Sequence, residues 1–344
     1  MELGELGPRK FSAVRSASGA GVGRLVNRDP GVHERAISPW ELLITPMSPG
    51  PYQHVITYLA TPGLILYRSR YFQKTRLRGL SPPNMLSLCM PLRADSRFRL
   101  WGARLHASGL PMLWPGGLHA EAGDGTEYVV AMIDLGLLRA SVPEDLFGQI
   151  RAACRQRVFP APGSAVTRLG TTLGELLEVI RACPEVLQHP QAVQALESDV
   201  MALVRRSLPS PDPIRPRRGR ATRQHGLQRA IEYLRSAGPA SVSVADLCRA
   251  ACVTERTLQY AFRETFGVSP LRLLHLRRFH AARQRLLGAV SKTNTVKDIA
   301  LEHGFYQMGR FAIRYKSLFG ESPSESLQRP PVEPLGSLGL APRN

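Results

Sequence analysis

The sequence predicts an α+β protein in which a β-barrel with packed helices is followed by an all-α domain. Three observations predict this fold class. Short β-rich runs occupy residues 40–135, helical periodicity replaces them after Asp134, and one helical unit occurs twice after residue 224. The 344 residues are enough for two domains, because single cores stop growing at about 250 to 300 residues.

The positive charge of the chain is unevenly distributed. The sequence has 45 Lys and Arg against 27 Asp and Glu, which gives a net charge of +18, and 14 of these 18 charges lie in residues 205–329. An apolar fraction of 43% excludes a wholly disordered chain. A basic surplus confined to one part of a folded protein favours a polyanionic partner, with nucleic acid first.

Composition divides the chain into five segments. We expect disorder in residues 1–35, which are rich in Gly, Ser and Ala, and in the tail 330–344. Residues 36–206, here the front domain, are expected to hold a barrel at 40–135 and helices at 143–206. Residues 207–223 are rich in Pro and Arg and indicate a basic linker. Residues 224–329 form the back domain.

The front domain begins with β-rich runs and ends with helices. The runs are HVITYLA from His54, GLILYRS from Gly63, MLSLCM from Met85, FRLW from Phe98 and EYVVAMI from Glu127. Segments such as TPG and SPPN separate them, which is typical of an antiparallel sandwich or barrel. Farther along, Val193, Leu196, Val200 and Leu203 form a helical stripe. This stripe packs either on the domain's own sheet or against a second subunit, as in a homodimer.

The back domain contains an internal repeat. Leu258, Phe262 and Phe266, spaced four residues apart and followed by Gly-Val-Ser-Pro, recur 53 residues later as Phe311, Tyr315 and Phe319, followed by Gly-Glu-Ser-Pro. A short helix with a small residue precedes each copy. Helix, tight turn and longer helix form a helix-turn-helix unit, and we place these units at 243–267 and 295–320.

A connecting helix is expected at 269–287, between the two units. Nineteen helical residues span about 28 Å, and one turn of B-DNA is about 34 Å. Five arginines are interleaved with its apolar positions: Arg272, Arg277, Arg278, Arg283 and Arg285. A helix of this length would place two recognition helices in successive major grooves on one side of a duplex.

The back domain resembles the AraC/XylS family of transcription regulators. The segments that carry the resemblance are DLCRAACVTERTLQYAFRETFGVSP, LRRFHAARQRLL and VKDIALEHGFYQMGRFAIRYKSLFGESPSESL, which follow one another at family spacing. The last is similar to the branch of benzoate and ethanolamine-utilisation regulators. The resemblance implies a cupin-like barrel in front, double-stranded DNA and RNA polymerase as partners, and a small-molecule effector of unknown identity.

The resemblance also implies which side chains contact DNA. Base-reading positions are Glu255, Arg256, Gln259, Tyr260 and Arg263 in the first unit, and Gln307, Met308, Ala312 and Ile313, with Gly309 beside them, in the second. The second set is less polar and either contacts thymine methyl groups and senses groove shape, or only positions the domain. Arg310, Arg314 and Lys316 are expected on phosphates.

The sequence contains no pattern typical of a catalytic or metal site. The nine histidines form no H-x-H or H-x-x-x-H pair, and no Gly-rich phosphate loop follows a strand. The five cysteines are irregularly spaced, and Cys248 and Cys252 are expected to serve packing only. We therefore expect no enzyme, cofactor, metal or membrane association, and a cytoplasmic location.

The front domain is the candidate sensor. Tyr67, Trp101, Trp114 and Tyr128, with His54 and Arg99, lie on or beside the expected strands and are candidates for an effector site, although ordinary packing explains each as well. The resulting hypothesis is an effector-responsive regulator, in the family most often an activator. An architectural DNA-binding protein without a sensor, or an enzyme with a regulatory tail, are the alternatives.

Overall fold

The computed structural model describes residues 19–37, 40–92, 98–104, 109–114, 116–208, 221–238, 241–289 and 294–329. Its front part contains two antiparallel sheets, and its back part is helical, so the chain is a mixed α+β protein. The tail expected at 330–344 lies outside these residues, as do residues 209–220 of the linker expected at 207–223; Ser207 ends one helix and residues 221–223 begin the next.

The first sheet has seven strands in the spatial order β1-β3-β4-β11-β6-β9-β12. Its strands are β1 (Gly21–Asn27), β3 (His54–Ala60), β4 (Leu64–Tyr71), β6 (Met85–Pro91), β9 (Leu110–Leu113), β11 (Glu127–Asp134) and β12 (Val158–Phe159). The second sheet has the order β2-β5-β10-β7-β8. Its strands are β2 (Glu41–Pro46), β5 (Thr75–Leu80), β7 (Arg99–Leu100), β8 (Ala103–Arg104) and β10 (Gly117–Ala122).

The two sheets enclose one apolar core and remain separate. Ile44 and Leu77 of the second sheet and Ile56, Tyr67 and Val130 of the first share this core. Between the described strands of one sheet and those of the other there is no hydrogen-bonded pairing, so the closed barrel expected from the sequence is replaced by two facing open sheets. Alternating apolar residues predict a buried face, but they do not determine whether a sheet closes.

Helices cover the outer face of the seven-stranded sheet. They are α2 (Leu135–Ser141), α3 (Glu144–Gln156), α4 (Gly163–Ala182) and α5 (Pro190–Ser207), with a short 3₁₀ helix at Pro184–Gln188. Val193, Leu196 and Val200 of α5 are buried, and Leu203 is half-buried, in the core that α2 and α4 share with this sheet. The apolar stripe therefore packs inside the front domain rather than against a second subunit.

The N-terminal expectation of disorder up to residue 35 is wrong from residue 19 onwards. Strand β1 pairs with β3 in register from Gly21 opposite Ala60 to Asn27 opposite His54. Helix α1 (Pro30–Ala36) follows, and Asp29 caps it by accepting from the backbone N–H of Gly31 at 2.7 Å. Pairing with a distant strand gives order to a segment whose own composition favours none.

The back part consists of seven helices among the residues that the structure describes. They are α6 (Ala221–Ser236), α7 (Val244–Ala251), α8 (Glu255–Phe266), α9 (Pro270–Leu287), α10 (Val296–Glu302), α11 (Met308–Phe319) and α12 (Pro323–Gln328). Helix α9 contributes Leu273 and Leu274 to the first helical core, which it shares with α7 and α8. It contributes Phe279, Ala282 and Leu286 to the second helical core, which it shares with α10 and α11. One connecting helix thus holds both helical units.

Candidate nucleic-acid interface

Local capping defines the first helical unit. Ser243 and Asp246 form a capping box at the start of α7, and Thr254 caps α8 by accepting from the backbone N–H of Thr257. Cys252 ends α7 in the left-handed conformation, with φ 50°. Leu258, Phe262 and Phe266 are buried in the first helical core, as their four-residue spacing requires.

The outward side of α8 is polar and open. Glu255, Arg256, Tyr260 and Arg263 are exposed, and Gln259 is half-buried. Gln259 donates to Glu255 at 3.1 Å, and the Arg256 guanidinium lies 5.8 Å from the Tyr260 ring centroid. Because the opposite side of the helix is fixed in the core, these side chains are presented together on a rigid surface.

The second unit has the same architecture with a different turn. Thr295 caps α10, and Gly304 supplies the left-handed turn residue, with φ +77°. The turn closes because Phe305 donates its N–H to the Ala300 carbonyl at 2.9 Å. Phe311 and Tyr315 are buried in the second helical core.

The outward side of α11 is basic at its edges and apolar at its centre. Arg310, Arg314 and Lys316 are exposed, as are Gln307 and Gly309, and the side chain of Ile313 is 73% exposed between the two arginines. Met308 packs partly against the second helical core, and Ala312 is half-buried. Of the less polar set, Ile313 is therefore the residue most accessible to a base.

Sequence reasoning missed Tyr306, which precedes α11 and is 80% exposed. Its neighbour Phe305 is part of the second helical core. The signal was available in the sequence, because Tyr306 lies before the first turn of α11 and five residues from Phe311, outside the four-residue spacing of the buried stripe.

The front domain holds the C-terminal end of α8. Arg78 of β5 donates to the Phe266 carbonyl at 2.9 Å, and Arg157, which follows α3, donates to the Glu264 carbonyl at 3.0 Å and to the Thr265 hydroxyl at 2.7 Å. Guanidinium groups satisfy free carbonyls at a helix C-terminus and complement its dipole. Desolvation by burial, and to a lesser extent the positive charge of the nearby Arg76, lowers the pKa of Arg78 to about 10.

A second group of contacts joins the front domain to the connecting helix. Asp29 lies 2.5 Å from Arg283, a side chain that is 1% exposed, and Glu321 accepts from the same guanidinium at 2.9 Å. Arg329 also pairs with both carboxylates. Burial opposes ionisation of Asp29, but the charges and hydrogen bonds of Arg283 and Arg329 prevail and lower its pKa. Arg283, expected on an interleaved basic surface, is instead an internal ion-pair residue.

The interior of the front domain contains a small aromatic cavity. It has a volume of about 50 Å³ and lies between the two sheets. Tyr67, Trp101 and Tyr128 line it, whereas Trp114 packs against Phe147 on the helical side of the seven-stranded sheet. Three of the four candidate effector residues therefore come together, and Trp114 does not join them, because the side of the sheet on which it packs is not set by its residue type.

Trp101 links this cavity to the first helical unit. The guanidinium of Arg157 lies 5.0 Å from the Trp101 ring centroid, and the same arginine contacts the C-terminal end of α8. Trp101 is itself in the left-handed conformation, with φ 50°. A change in the position of this indole would act directly on the arginine that holds α8.

A buried polar cluster lies beside the cavity and includes His54. The His54 and His33 rings stack at 3.7 Å, His33 Nδ1 lies 2.6 Å from the Tyr52 hydroxyl, and His54 Nε2 lies 2.7 Å from the Ser69 hydroxyl. Desolvation by burial lowers the pKa of His33 to about 3. Desolvation, and to a lesser extent the charge of the neighbouring His33, lowers the pKa of His54 well below its usual value. Both rings are therefore neutral at pH 7. Arg99 is exposed on β7, so it does not join the cluster.

No group of three or more His, Cys, Asp or Glu side chains in the described part of the chain is arranged to hold a metal ion. Within the same residues, no helix has the length and apolar character needed to cross a bilayer.

Comparison with known proteins identifies a matching domain family and relatives for the back domain. A helix-turn-helix domain family model matches residues 247–329, from α7 to the end of α12. Over 102 residues the chain is 39% identical to a probable thc operon regulatory protein of Rhodococcus erythropolis, and 31% identical to XylDLEGF operon transcriptional activator 3 of Pseudomonas putida. The back domain belongs to the AraC/XylS family.

The family match is confined to this domain. Each of the two alignments covers 30% of this chain and 31% of the relative, so the chain spans about a third of the length of the curated relatives it matches. A solved structure of the AraC-like transcriptional activator CuxR is similar at 13% identity and a TM-score of 0.38, covering 80% of this chain and 98% of that one. The AraC/XylS-type domain carries both outward surfaces described above.

Proposed function

We propose that the protein is an AraC/XylS-type transcription regulator that binds specific double-stranded DNA through α8 and α11. The single observation that carries the proposal is the pair of helices held by one connecting helix, each buried on one side and open on the other. The excess of positive charge in this part of the chain supports the same partner.

The two helices have different expected roles. On α8, Arg256 can donate two hydrogen bonds to guanine and Gln259 can pair with adenine, with Glu255, Tyr260 and Arg263 beside them. On α11, Ile313 would contact thymine methyl groups between the phosphate-contacting residues Arg310 and Arg314. Sequence selection therefore rests mainly on α8.

The front domain is the proposed sensor, with a cupin-like arrangement of its two sheets. Support comes from the cavity that Tyr67, Trp101 and Tyr128 line and from the contact of Trp101 with Arg157. An effector that moves Trp101 would change how Arg157 holds α8 and so change promoter occupancy. Two relatives of the domain are named as operon regulators, one of them a transcriptional activator, which supports activation as the outcome of DNA binding. RNA polymerase as a further partner and a cytoplasmic location are part of the same proposal, because a transcription regulator acts where DNA and polymerase meet.

Gel-shift selection on a randomised duplex tests this proposal. The Arg256→Ala variant should cost about 1 to 3 kcal/mol and relax the preference at one base position. The Lys316→Ala variant is the matched control, because a phosphate contact affects every sequence alike and lowers the salt slope by about one unit. Indifference of the full chain to DNA sequence, or an unchanged site preference in the Arg256 variant, would contradict the proposal.

A further inference from the structure

A second and larger cavity lies between the front domain and the AraC/XylS-type domain. It has a volume of about 230 Å³ and lies at the outer face of the five-stranded sheet, against α6, α8 and α9. Its apolar wall includes Trp40, Leu43, Leu80, Leu234, Phe266 and Leu273. Both domains contribute to this wall, so a molecule bound here contacts both.

Two residues that line this cavity each have a buried polar atom with no hydrogen-bond partner in the described part of the chain. His280 Nε2 has no hydrogen-bond partner among the described residues, although the His280 side chain is only 3% exposed. Arg277 Nη1 is also buried and unpartnered within the same residues. The two residues are one helical turn apart on α9, and both line the cavity. Unpaired buried polar atoms cost free energy, so a ligand that pairs with them gains affinity.

Glu34 determines which hydrogen bond His280 can still make. The Glu34 carboxylate accepts from the backbone N–H of Ile44 at 2.7 Å, from Gln284 Nε2 at 3.0 Å and from His280 Nδ1 at 2.6 Å. The carboxylate accepts from Nδ1, which leaves Nε2 as the ring nitrogen that can pair with a ligand. Nε2 accepts a hydrogen bond when it carries no proton and donates one when it does, whereas Arg277 Nη1 always donates.

A hydroxyl group can pair with both atoms in either case, since it accepts from Nη1 and can either donate to Nε2 or accept from it. A carboxylate fits less well, because it would lie near the carboxylates of Glu34 and Glu41, which line the same cavity. Glu41 is itself 3.7 Å from Arg277 Nη2. The polar atoms therefore favour a neutral hydroxylated ligand over an anion.

The volume limits the rest of the ligand. An apolar cavity of about 150 Å³ in a protein core is known to bind benzene. A cavity of about 230 Å³ accommodates one aromatic ring with a few further carbon atoms. We propose that this interdomain cavity binds a small apolar phenol or alcohol, with its hydroxyl group between His280 Nε2 and Arg277 Nη1.

Such a ligand would strengthen the contact between the front domain and α9. It would be an effector of the proposed regulator, and in this respect the inference rests on the proposed function. Binding of the ligand itself requires no DNA. Calorimetry without DNA therefore tests the site, whereas retention of DNA by the unliganded chain tests the function.

The test uses the full chain and three probes in isothermal titration calorimetry at pH 7.5. We expect 4-ethylphenol to bind at one site per chain. Ethylbenzene, which lacks the hydroxyl, and 4-ethylbenzoate, which carries an anion, should each bind about tenfold more weakly or not at all. Absence of 4-ethylphenol binding, equal binding of ethylbenzene, or tighter binding of 4-ethylbenzoate would overturn the assignment.

Variants separate the two cavities. Ala281→Leu fills the interdomain cavity and should abolish 4-ethylphenol binding, whereas Leu118→Phe, in the smaller cavity between the sheets, should retain it. Arg277→Met should weaken 4-ethylphenol about tenfold and leave ethylbenzene unchanged. Loss of binding in the Leu118 variant with retention in the Ala281 variant would place the ligand between the sheets and refute the proposal. The probe series on the unaltered chain stands even where a variant fails to fold.

Discussion

Replacement of Arg283 by methionine should strongly destabilise the contact between the two domains. The Arg283 guanidinium lies between Asp29 and Glu321. Its central carbon, Cζ, is 4.8 Å from the centroid of the Phe319 ring. Methionine keeps much of the length and the apolar contact, but it removes the charge. Removal of one partner of a buried ion pair costs about 3 to 5 kcal/mol. Because Arg329 still contacts both carboxylates, we expect a loss of about 3 kcal/mol in the free energy of unfolding.

This loss should depend on pH in a defined direction. In the native protein Asp29 has a lowered pKa, so it contributes stability that is present above its unfolded pKa of about 3.9 and is lost as pH falls through the folded value. Without Arg283, two of the causes that lower the pKa of Asp29 are lost while burial still opposes its ionisation, so ionised Asp29 contributes less stability to the variant as pH rises. The difference between the two proteins should therefore be largest near pH 7.5 and smaller at pH 4.5.

Urea unfolding at these two pH values measures the effect. Arg285→Met is the control, since Arg285 lies on the same helix but is exposed in a loose pair with Glu302 at 3.7 Å. An exposed pair of this kind contributes about 0 to 1 kcal/mol. A loss below about 1 kcal/mol for the Arg283 variant, or a difference that is the same at both pH values, would refute the buried-charge explanation.

Two further predictions concern single residues. His33 has a pKa of about 3 in the folded protein and about 6.5 when unfolded, so its protonation favours the unfolded state as pH falls below 6.5. Lowering the pH from 7.5 to 5.5 should reduce the free energy of unfolding by about 1.4 kcal/mol through this residue. Urea unfolding of His33→Phe should show a correspondingly smaller drop, and an unchanged drop would contradict the assignment. Cys252→Gly should raise the unfolding free energy by about 1 kcal/mol, because glycine adopts the left-handed conformation freely. Cys183→Gly should not raise the unfolding free energy, because Cys183 has φ −127°, a conformation that any residue adopts. Equal thermal shifts in both variants would count against this reasoning.

The order of helices and turns in the AraC/XylS-type domain was predictable because the sequence signals that specify it are local. Ser243, Thr254 and Thr295 cap helices within three residues of themselves, and the buried stripes repeat every four residues. The strands β5 and β10 were missed for the opposite reason. Arg76 and Arg78 interrupt the apolar pattern of β5, and Arg78 is buried only because α8 supplies a carbonyl for it.

By itself, the sequence determined a family of helical DNA-binding domains, two outward surfaces and a β-rich front domain, since each depends on residues a few positions apart. Only the tertiary structure decided that the two sheets stay open, that Trp114 does not line the cavity between the sheets and that Arg283 is buried. It also brought Asp29 to Arg283, 254 positions away, and left His280 and Arg277 facing a cavity between domains. Such pairings depend on how whole elements pack, and no local spacing specifies them.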